Sequence, residues 1–408
     1  MKPLGPIPPG YTAIDGELAI AGRKASDLVA EAGDTPLFVY SRELVTRRVA
    51  DLRAAMPPRL ALHYAVKANP YGPLLTMMAG LVDGFDIASG GELTMVRAAG
   101  IDPARVSFAG PGKRDAELAA AIAAGVTLNL ESEGEFSRTM GIAGRLGVSP
   151  RLAIRVNPEF DLKGSGMKMG GGAKPFGIDA ERVPALARQI IASGAEWRGF
   201  HIFAGSQALD AGAIADTQAQ ALALAARLAA ESGAALPHCN LGGGLGIPYF
   251  PGDTPVDTGQ IGARLAEQFA RLPPELADTQ FCIELGRYLV GEAGVYLTRI
   301  VDRKVSHGEV YLVTDGGLHH QLAASGNFGT VVRRNYPVAI ASRFDAEPEE
   351  EASVVGCLCT PLDRLADKGH FPRAEVGDLV AVFCAGAYGA SASPAMFLGQ
   401  GPAREMLV

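Results

Sequence analysis

The chain has 408 residues, 48% of them hydrophobic and 20% charged, with a net charge of −7 and five cysteines. That length and apolar content bury a large core and imply two domains, while the acidic balance and the lack of a long Lys/Arg run exclude a nucleic-acid or anionic-membrane surface. The opening MKPLGPIPPGYTAIDG has no apolar core of a signal peptide, and no later stretch is apolar over the length of a bilayer, so the expected location is the cytoplasm.

In chain order, GELAIAGRKA and PLFVYS near the N-terminus read as strands. Between residues 36 and 290 eight short runs rich in strand formers follow: 59–66, 84–88, 105–109, 126–130, 151–156, 199–204, 238–241 and 280–284. Helical patterns separate them, among them ELVTRRVADLRAAM at 43–56, DAELAAAIAAG at 115–125 and the Ala/Leu-rich 211–232. Eight strands alternating with helices over this length predict a (β/α)8 TIM barrel over 36–289, an α/β fold. After residue 290 the pattern changes. GVYLTRIVDRKV, GEVYLVTDGG, ASVVGCLCTPL and GDLVAVFCAGAYG read as strands with short turns, so 290–408 and the N-terminal 1–35 are expected to build a second, mostly β domain, whose sheet GELAIAGRKA and PLFVYS are expected to join from the other end of the chain, with the acidic DAEPEEE at 345–351 as a solvated loop. The odd, scattered cysteines do not suit a disulfide framework, and Cys357-Leu358-Cys359 lacks the companions of a zinc site, so no metal is expected.

In a barrel, reactive groups collect at the C-terminal ends of the strands. Lys67 follows LHYAV there, Asp86 and Ser89 close GFDIAS, Arg155 ends RLAIR, Ser206 follows HIFAG, Gly242-Gly243-Gly244 follow CNL, and Glu284 ends FCIE. Taken singly, each has a plain alternative: the lysine reaching to solvent along its stem, or the glycines making a tight turn. Together they form a chemical set. Exposed N–H groups of a triple glycine beside a hydroxyl suit a phosphate. A lysine facing that site suggests a Schiff base to pyridoxal phosphate, with Glu284 setting the charge on the ring nitrogen.

The motifs YAVKANP, RVNP, AGSQ, GGGLG, ELGRY and CAGAYG, in order along nearly the whole chain, resemble those of the fold-type III pyridoxal-phosphate decarboxylases, the diaminopimelate, ornithine and arginine decarboxylase family with an alanine-racemase-like barrel. SFAGPGKRDAEL, GMKMGGG, GFHIFAGSQ and DGGLHHQLAASGNFG are most similar to the decarboxylase-like proteins associated with exosortase A systems. The resemblance implies Lys67 as the cofactor lysine and Glu284 as the partner of the pyridine nitrogen. It implies further cofactor contacts from Asp86, Arg155, Phe203, Ser206, Gly243, Gly244, Gly286, Arg287 and Tyr388. Cys359 would enter the neighbouring subunit's site and protonate the carbanion, in a homodimer with shared active sites; the plain alternative for Cys359 is a core cysteine. Substrate contacts would come from Arg287, Arg333, Tyr336, Thr360 and Tyr388.

Two residues depart from the family pattern. Phe203 stands where the family has a histidine stacked on the cofactor ring, with His201 two positions earlier. Thr360 replaces the acid that reads the distal ammonium of diamino substrates, and an ammonium buried without counter-charge costs several kcal/mol. The basic pair Arg333-Arg334 before Tyr336 suits a distal carboxylate or an acyl carrier instead, or is surface charge. The expected activity is therefore α-decarboxylation of an amino acid or of an aminoacyl carrier protein. Three alternatives stand beside it: meso-diaminopimelate decarboxylase of lysine biosynthesis, a racemase on the same fold, which would carry an arginine in place of Glu284, and a non-catalytic cofactor-binding protein.

Overall fold

The computed structural model describes residues 2–326 and 334–408, and the chain divides into two compact units. One unit comprises residues 49–246 and 255–286, the other 1–48, 247–254 and 287–408. Residues 36–48 and 247–254 thus group with the second unit, whereas the sequence reading placed them in the barrel.

The first unit is a closed parallel barrel of eight strands: β1 (Leu60–Ala65), β2 (Gly84–Ile87), β3 (Val106–Phe108), β4 (Thr127–Leu130), β5 (Arg151–Asn157), β6 (Glu196–Ile202), β7 (His238–Asn240) and β8 (Gln280–Leu285). Each strand pairs with the next, and β8 pairs with β1 to close the ring. All eight fall on the predicted runs. Side chains alternate across each strand, so Leu60, Leu62 and Tyr64 are buried while Ala61 and His63 alternate with them. The intervening helices are bounded by their own sequence. Ser132, Asp210 and Asp257 accept N–H bonds at helix starts, and Gly125, Gly147 and Gly233 end helices at φ 78°, 65° and 64°. Ser89, which the sequence placed on the reactive rim, is one of these caps: its hydroxyl accepts the N–H of Glu92 at 3.1 Å.

In the second unit Leu37–Tyr40, from PLFVYS, pairs with Gly294–Leu297 as anticipated. The GELAIAGRKA segment does not join that sheet. Thr12–Ile14, Glu17–Ile20 and Arg23–Lys24 form their own three-stranded meander. The reason is local: Asp15-Gly16 and Ala21-Gly22 all have positive φ, 50°, 82°, 52° and 74°, the two-residue hairpin turns that pair a strand with its nearest neighbour in sequence. Leu18 and Ile20 still enter one core with Leu37, Val39, Val295, Leu297 and Phe383. The larger sheet also contains Val338–Ile340, Arg364–Phe371 and Arg404–Leu407, which the sequence reading did not single out. The acidic loop is shorter than expected, because Glu350 and Glu351 begin the strand Glu350–Val355 and Glu350 pairs with Arg303.

A buried charge network organises one side of the barrel. Lys113 Nζ donates to Glu135 Oε1 at 2.6 Å and to the carbonyls of Gly110 and Asn129 at 2.9 and 2.8 Å. Glu135 also accepts the N–H of Glu131, and Glu131 binds Arg155 Nη1 at 2.9 Å and the N–H of Gly177 at 2.7 Å. All three ammonium protons are used, so the pair tolerates its burial. Glu135→Leu leaves the ammonium without counter-charge and is expected to cost about 3–5 kcal/mol in urea unfolding, while Lys113→Met with Glu135→Leu recovers most of that loss; a double variant as unstable as the single one would show that the charges themselves are required.

Candidate functional site

Lys67 leaves β1 on a single turn, Val66–Ala68, that ends at Asn69. Two bonds fix that exit: Tyr64 Oη donates to the Asn69 carbonyl at 2.9 Å, and Asn69 Oδ1 accepts the N–H of Tyr71 at 3.0 Å. Lys67 is thereby exposed at the strand end with its ammonium 5.7 Å from the centroid of Phe203. A lysine over a buried aromatic face, on the C-terminal rim of a barrel, is placed to hold a flat ligand between them.

Glu284 ends β8 inside the barrel. Asn240 Nδ2 donates to its Oε2 at 3.1 Å, and His201 Nε2 lies 3.1 Å from the same oxygen, at ion-pair distance though without a well-aligned hydrogen bond. Burial alone would push this carboxyl up, but His201, with Lys67 and Arg155 behind it, reverses the effect and holds it at about 2. Glu284 is therefore an anion at neutral pH. Asn240 also accepts the N–H of Gly242 at 2.8 Å, tying the glycine turn to the same carboxylate.

That turn admits no side chain. A Cβ at Gly243 would lie 1.9 Å from the Glu284 carbonyl oxygen, and Gly242 and Gly244 adopt φ 74° and 94°. Among the described residues, no backbone bond of the turn uses the N–H of Gly243 or Gly244 as donor. Nearby, Ser206 and Gly205 pair with Met167 and Lys168, and Gly205 has no room for a Cβ against Ser165. Gly286 is equally confined, against Ala68. Asp86 lies within 3.2 Å of His63 Nδ1 through Oδ2, while its Oδ1 is buried without a partner. Arg155 is held by Glu131 and rests on Phe176 at 4.9 Å.

The barrel unit thus brings together Lys67, Asp86, Arg155, Phe203, Ser206, Gly243, Gly244, Glu284 and Gly286. The second unit gathers the others in two places. Arg287 Nη1 donates to Tyr249 Oη at 2.7 Å, the guanidinium sits 4.7 Å from the Tyr388 ring, and its Nε is buried without a partner. Tyr336 stacks on Tyr249 at 4.6 Å, and Arg334 covers Phe250 at 3.7 Å. Cys359 and Thr360 occupy the turn leading into Asp363, both accessible to some degree. Arg333 lies outside the described residues.

Sequence reasoning assigned no role to His201, Asn240, His63, Cys282 or Tyr249. The first four were within reach of it, because strict alternation turns His201, Asn240, His63 and Cys282 to the barrel interior along with Glu284. His63, Asn240 and Cys282 also line a cavity of about 260 Å³ with Arg105, His238 and Gln280, toward the strand starts and apart from Lys67 and Glu284. Among the described residues no helix is long and apolar enough to cross a membrane, and no group of three or more His, Cys, Asp or Glu is placed to hold a metal ion.

The family described as pyridoxal-dependent decarboxylase, pyridoxal binding domain, matches residues 42–291. An L-glutamyl-[BtrI acyl-carrier protein] decarboxylase of Niallia circulans is 34% identical over 381 residues, covering 92% of this chain and 89% of that protein. A diaminopimelate decarboxylase of Archaeoglobus fulgidus is 34% identical over 382 residues, covering 93% and 89%. Among solved structures, AQ1208 from Aquifex aeolicus superposes with a TM-score of 0.84 at 29% identity, covering 98% of this chain and 92% of that one. Diaminopimelate decarboxylase from M. jannaschii with L-lysine gives 0.87 at 25% identity, covering 98% and 93%.

Pyridoxal phosphate presents a phosphate, an aldehyde and a pyridine nitrogen, and the residues present fit all three. The glycine cup, where no Cβ fits, with Ser206 beside it suits the phosphate, Lys67 the aldehyde, Phe203 the ring face, and the ionised Glu284 a protonated nitrogen. With the rim geometry, the matched family and full-length relatives in agreement, this chain belongs to the fold-type III pyridoxal-phosphate-dependent decarboxylases and is a carboxy-lyase.

Proposed function

We propose that the substrate is an α-amino acid or aminoacyl group whose far end is neutral, anionic or carrier-bound, of the glutamyl type, and that Lys67, Glu284 and Cys359 carry the chemistry. One observation carries the substrate reading: the second unit offers a half-buried arginine, Arg287, whose Nε is buried without a partner, while the residue after Cys359 is the neutral Thr360, whose hydroxyl accepts the N–H of Leu362 at 3.4 Å. An anion completes the first, and a distal ammonium finds no charge at the second. The relative that decarboxylates a carrier-bound glutamyl group supports this reading. The diaminopimelate decarboxylases among the relatives support the second reading, meso-diaminopimelate.

The bound cofactor supplies an electron-withdrawing ring that takes up the electron pair left as CO2 departs. The chain's residues do the rest. Lys67 would hold the cofactor by its side-chain amine, in the place a substrate amine would take. Glu284, ionised, keeps a proton on the ring nitrogen, which favours decarboxylation over the racemase chemistry of the same fold. Cys359 gives a proton to the carbon that lost CO2, from a neighbouring subunit as the family resemblance implies. Phe203 packs a ring face without adding a titratable group.

His201 is the leading cause of the Glu284 ionisation, and the sign of its effect on stability follows. A carboxyl held below its unfolded value adds stability above about pH 4.5, and that stability is lost as pH falls toward 2. In His201→Asn, burial acts with less opposition and the carboxyl rises. The variant's folded carboxyl then takes up a proton at higher pH than the wild type's, so the wild-type advantage in urea-unfolding free energy is expected to shrink as pH is lowered from 5 to 3, by on the order of 1 kcal/mol. A difference independent of pH would remove His201 from this role.

The test of substrate is kcat/KM measured as CO2 release from free glutamate-like amino acids, glutamyl-loaded carrier protein and meso-diaminopimelate. Wild type is expected to favour the first two, and Thr360→Glu is expected to shift the ratio toward meso-diaminopimelate by on the order of tenfold or more. Efficient turnover of meso-diaminopimelate by wild type would overturn the reading. In the same preparation, borohydride reduction and peptide mapping should place the cofactor on Lys67.

A further inference from the structure

The turn that carries Cys359 holds a second thiol for which the proposed chemistry has no use. Cys357 and Cys359 are both exposed and both free, and they flank Leu358, which is buried at 6% exposure. With the middle side chain buried, the two thiols are the exposed side chains on either side of it. Two residues apart, their Cα atoms lie at most about 7 Å apart, and the bend at 357–360 brings them toward the range of about 4.4–6.8 Å that a disulfide spans.

The backbone there is fixed by one carboxylate. Asp363 Oδ2 accepts the N–H of Leu358 at 2.9 Å and Oδ1 that of Leu318 at 2.6 Å, while its carbonyl accepts the N–H of Gly356 at 3.0 Å. Thr360 N–H closes back on the Leu358 carbonyl at 2.8 Å. A Cβ at Gly356 would lie 2.2 Å from the Asp363 carboxylate, so the turn is wrapped tightly around that group. The two sulfurs are consequently presented by one braced turn.

We propose that Cys357 and Cys359 form a dithiol modification site at which a hydroperoxide reversibly silences the enzyme. The peroxide transfers one oxygen to the Cys359 sulfur, giving the sulfenic acid and releasing the alcohol or water left from its broken O–O bond. The Cys357 thiol then attacks that sulfur, the S–S bond forms, and the hydroxyl leaves with the Cys357 proton as water. Two thiols are oxidised by two electrons in all, and the peroxide is reduced by the same two. Partial burial of its sulfur and the Asp363 carboxylate raise the Cys357 thiol, which suits the second, resolving position better than the first. Silencing follows because Cys359 no longer has a proton to give, and this part rests on the role proposed for Cys359 above. A bridge on an exposed turn is open to a dithiol reductant.

The test uses the full-length chain loaded with pyridoxal phosphate. Hydrogen peroxide is added, free thiols are blocked with iodoacetamide under denaturing conditions, and the digest is mapped by mass spectrometry. The expected peptide spans 357–359, is two hydrogens lighter than the reduced form and carries no alkyl group. Decarboxylase activity falls on the order of tenfold and returns with dithiothreitol. Cys357→Ser is expected to match wild type before treatment, but afterwards to carry sulfinic acid at Cys359 that dithiothreitol does not reverse. Separate alkylation of both cysteines after peroxide, or equal recovery of wild type and Cys357→Ser, would overturn the dithiol site. A mapped bridge with activity unchanged would overturn the silencing, and with it the role given to Cys359, while Lys67 and Glu284 kept theirs.

Discussion

Keeping one carboxylate ionised inside the barrel is the constraint around which the barrel unit is arranged. An unpaired buried anion costs several kcal/mol, and Glu284 escapes that cost through His201 at 3.1 Å, the amide of Asn240 at the same distance, and the fields of Lys67 and Arg155. Each of these depends on a further contact. Asn240 is shared with the N–H of Gly242, Arg155 is held by Glu131, and Glu131 is braced by Glu135 and Lys113. The glycine turn meets the Glu284 backbone so closely that only hydrogen fits at Gly243. Charge, turn geometry and strand register are thus three views of one arrangement.

The two units divide the work along physical lines. The barrel provides rigid strand ends, on which a cofactor's polar groups can be matched one by one. The β-rich unit provides short turns whose side chains vary without disturbing a hydrogen-bond ladder: Thr360 and Cys359 belong to a turn braced by the Asp363 carboxylate, to which the Thr360 side chain adds only one bond, from the Leu362 N–H at 3.4 Å. A change at Cys359 therefore leaves the support of the turn intact, and one at Thr360 removes a single long hydrogen bond. Arg287 differs, since its guanidinium is clasped by Tyr249 and Tyr388, and its replacement would loosen that aromatic cluster.

The barrel was legible because the period-2 strands and the helices between them are long runs that agree with each other. The rim was legible because reactive residues fall at strand ends whatever the rest of the strand contains. What escaped was of two kinds. The meander at 12–24 was misassigned because hairpin turns with positive φ at Asp15 and Ala21 outrank any preference for the distant sheet, and a residue such as Ala21 gives little warning of that conformation. Tyr249 escaped because it lies between a barrel strand and a helix in sequence yet belongs to the β-rich unit, a placement set by packing rather than by any local pattern.

Phe203 shows how a departure from a family motif reads once the neighbourhood is known. Where the resemblance leads one to expect an imidazole over the cofactor ring, this chain has a benzene ring, which offers a face and an interaction with the Lys67 ammonium at 5.7 Å but no proton. The imidazole two residues earlier, His201, points at Glu284 instead. Phe203 follows the end of β6 directly, and the two rings lie 6.4 Å apart between centroids in the same part of the barrel. For a cofactor held as proposed, a titratable group would be absent from the ring face and present at the nitrogen edge. On the proposed placement, protonation of a bound ring would depend on the Glu284 carboxylate and its histidine, and Phe203 would act through shape alone.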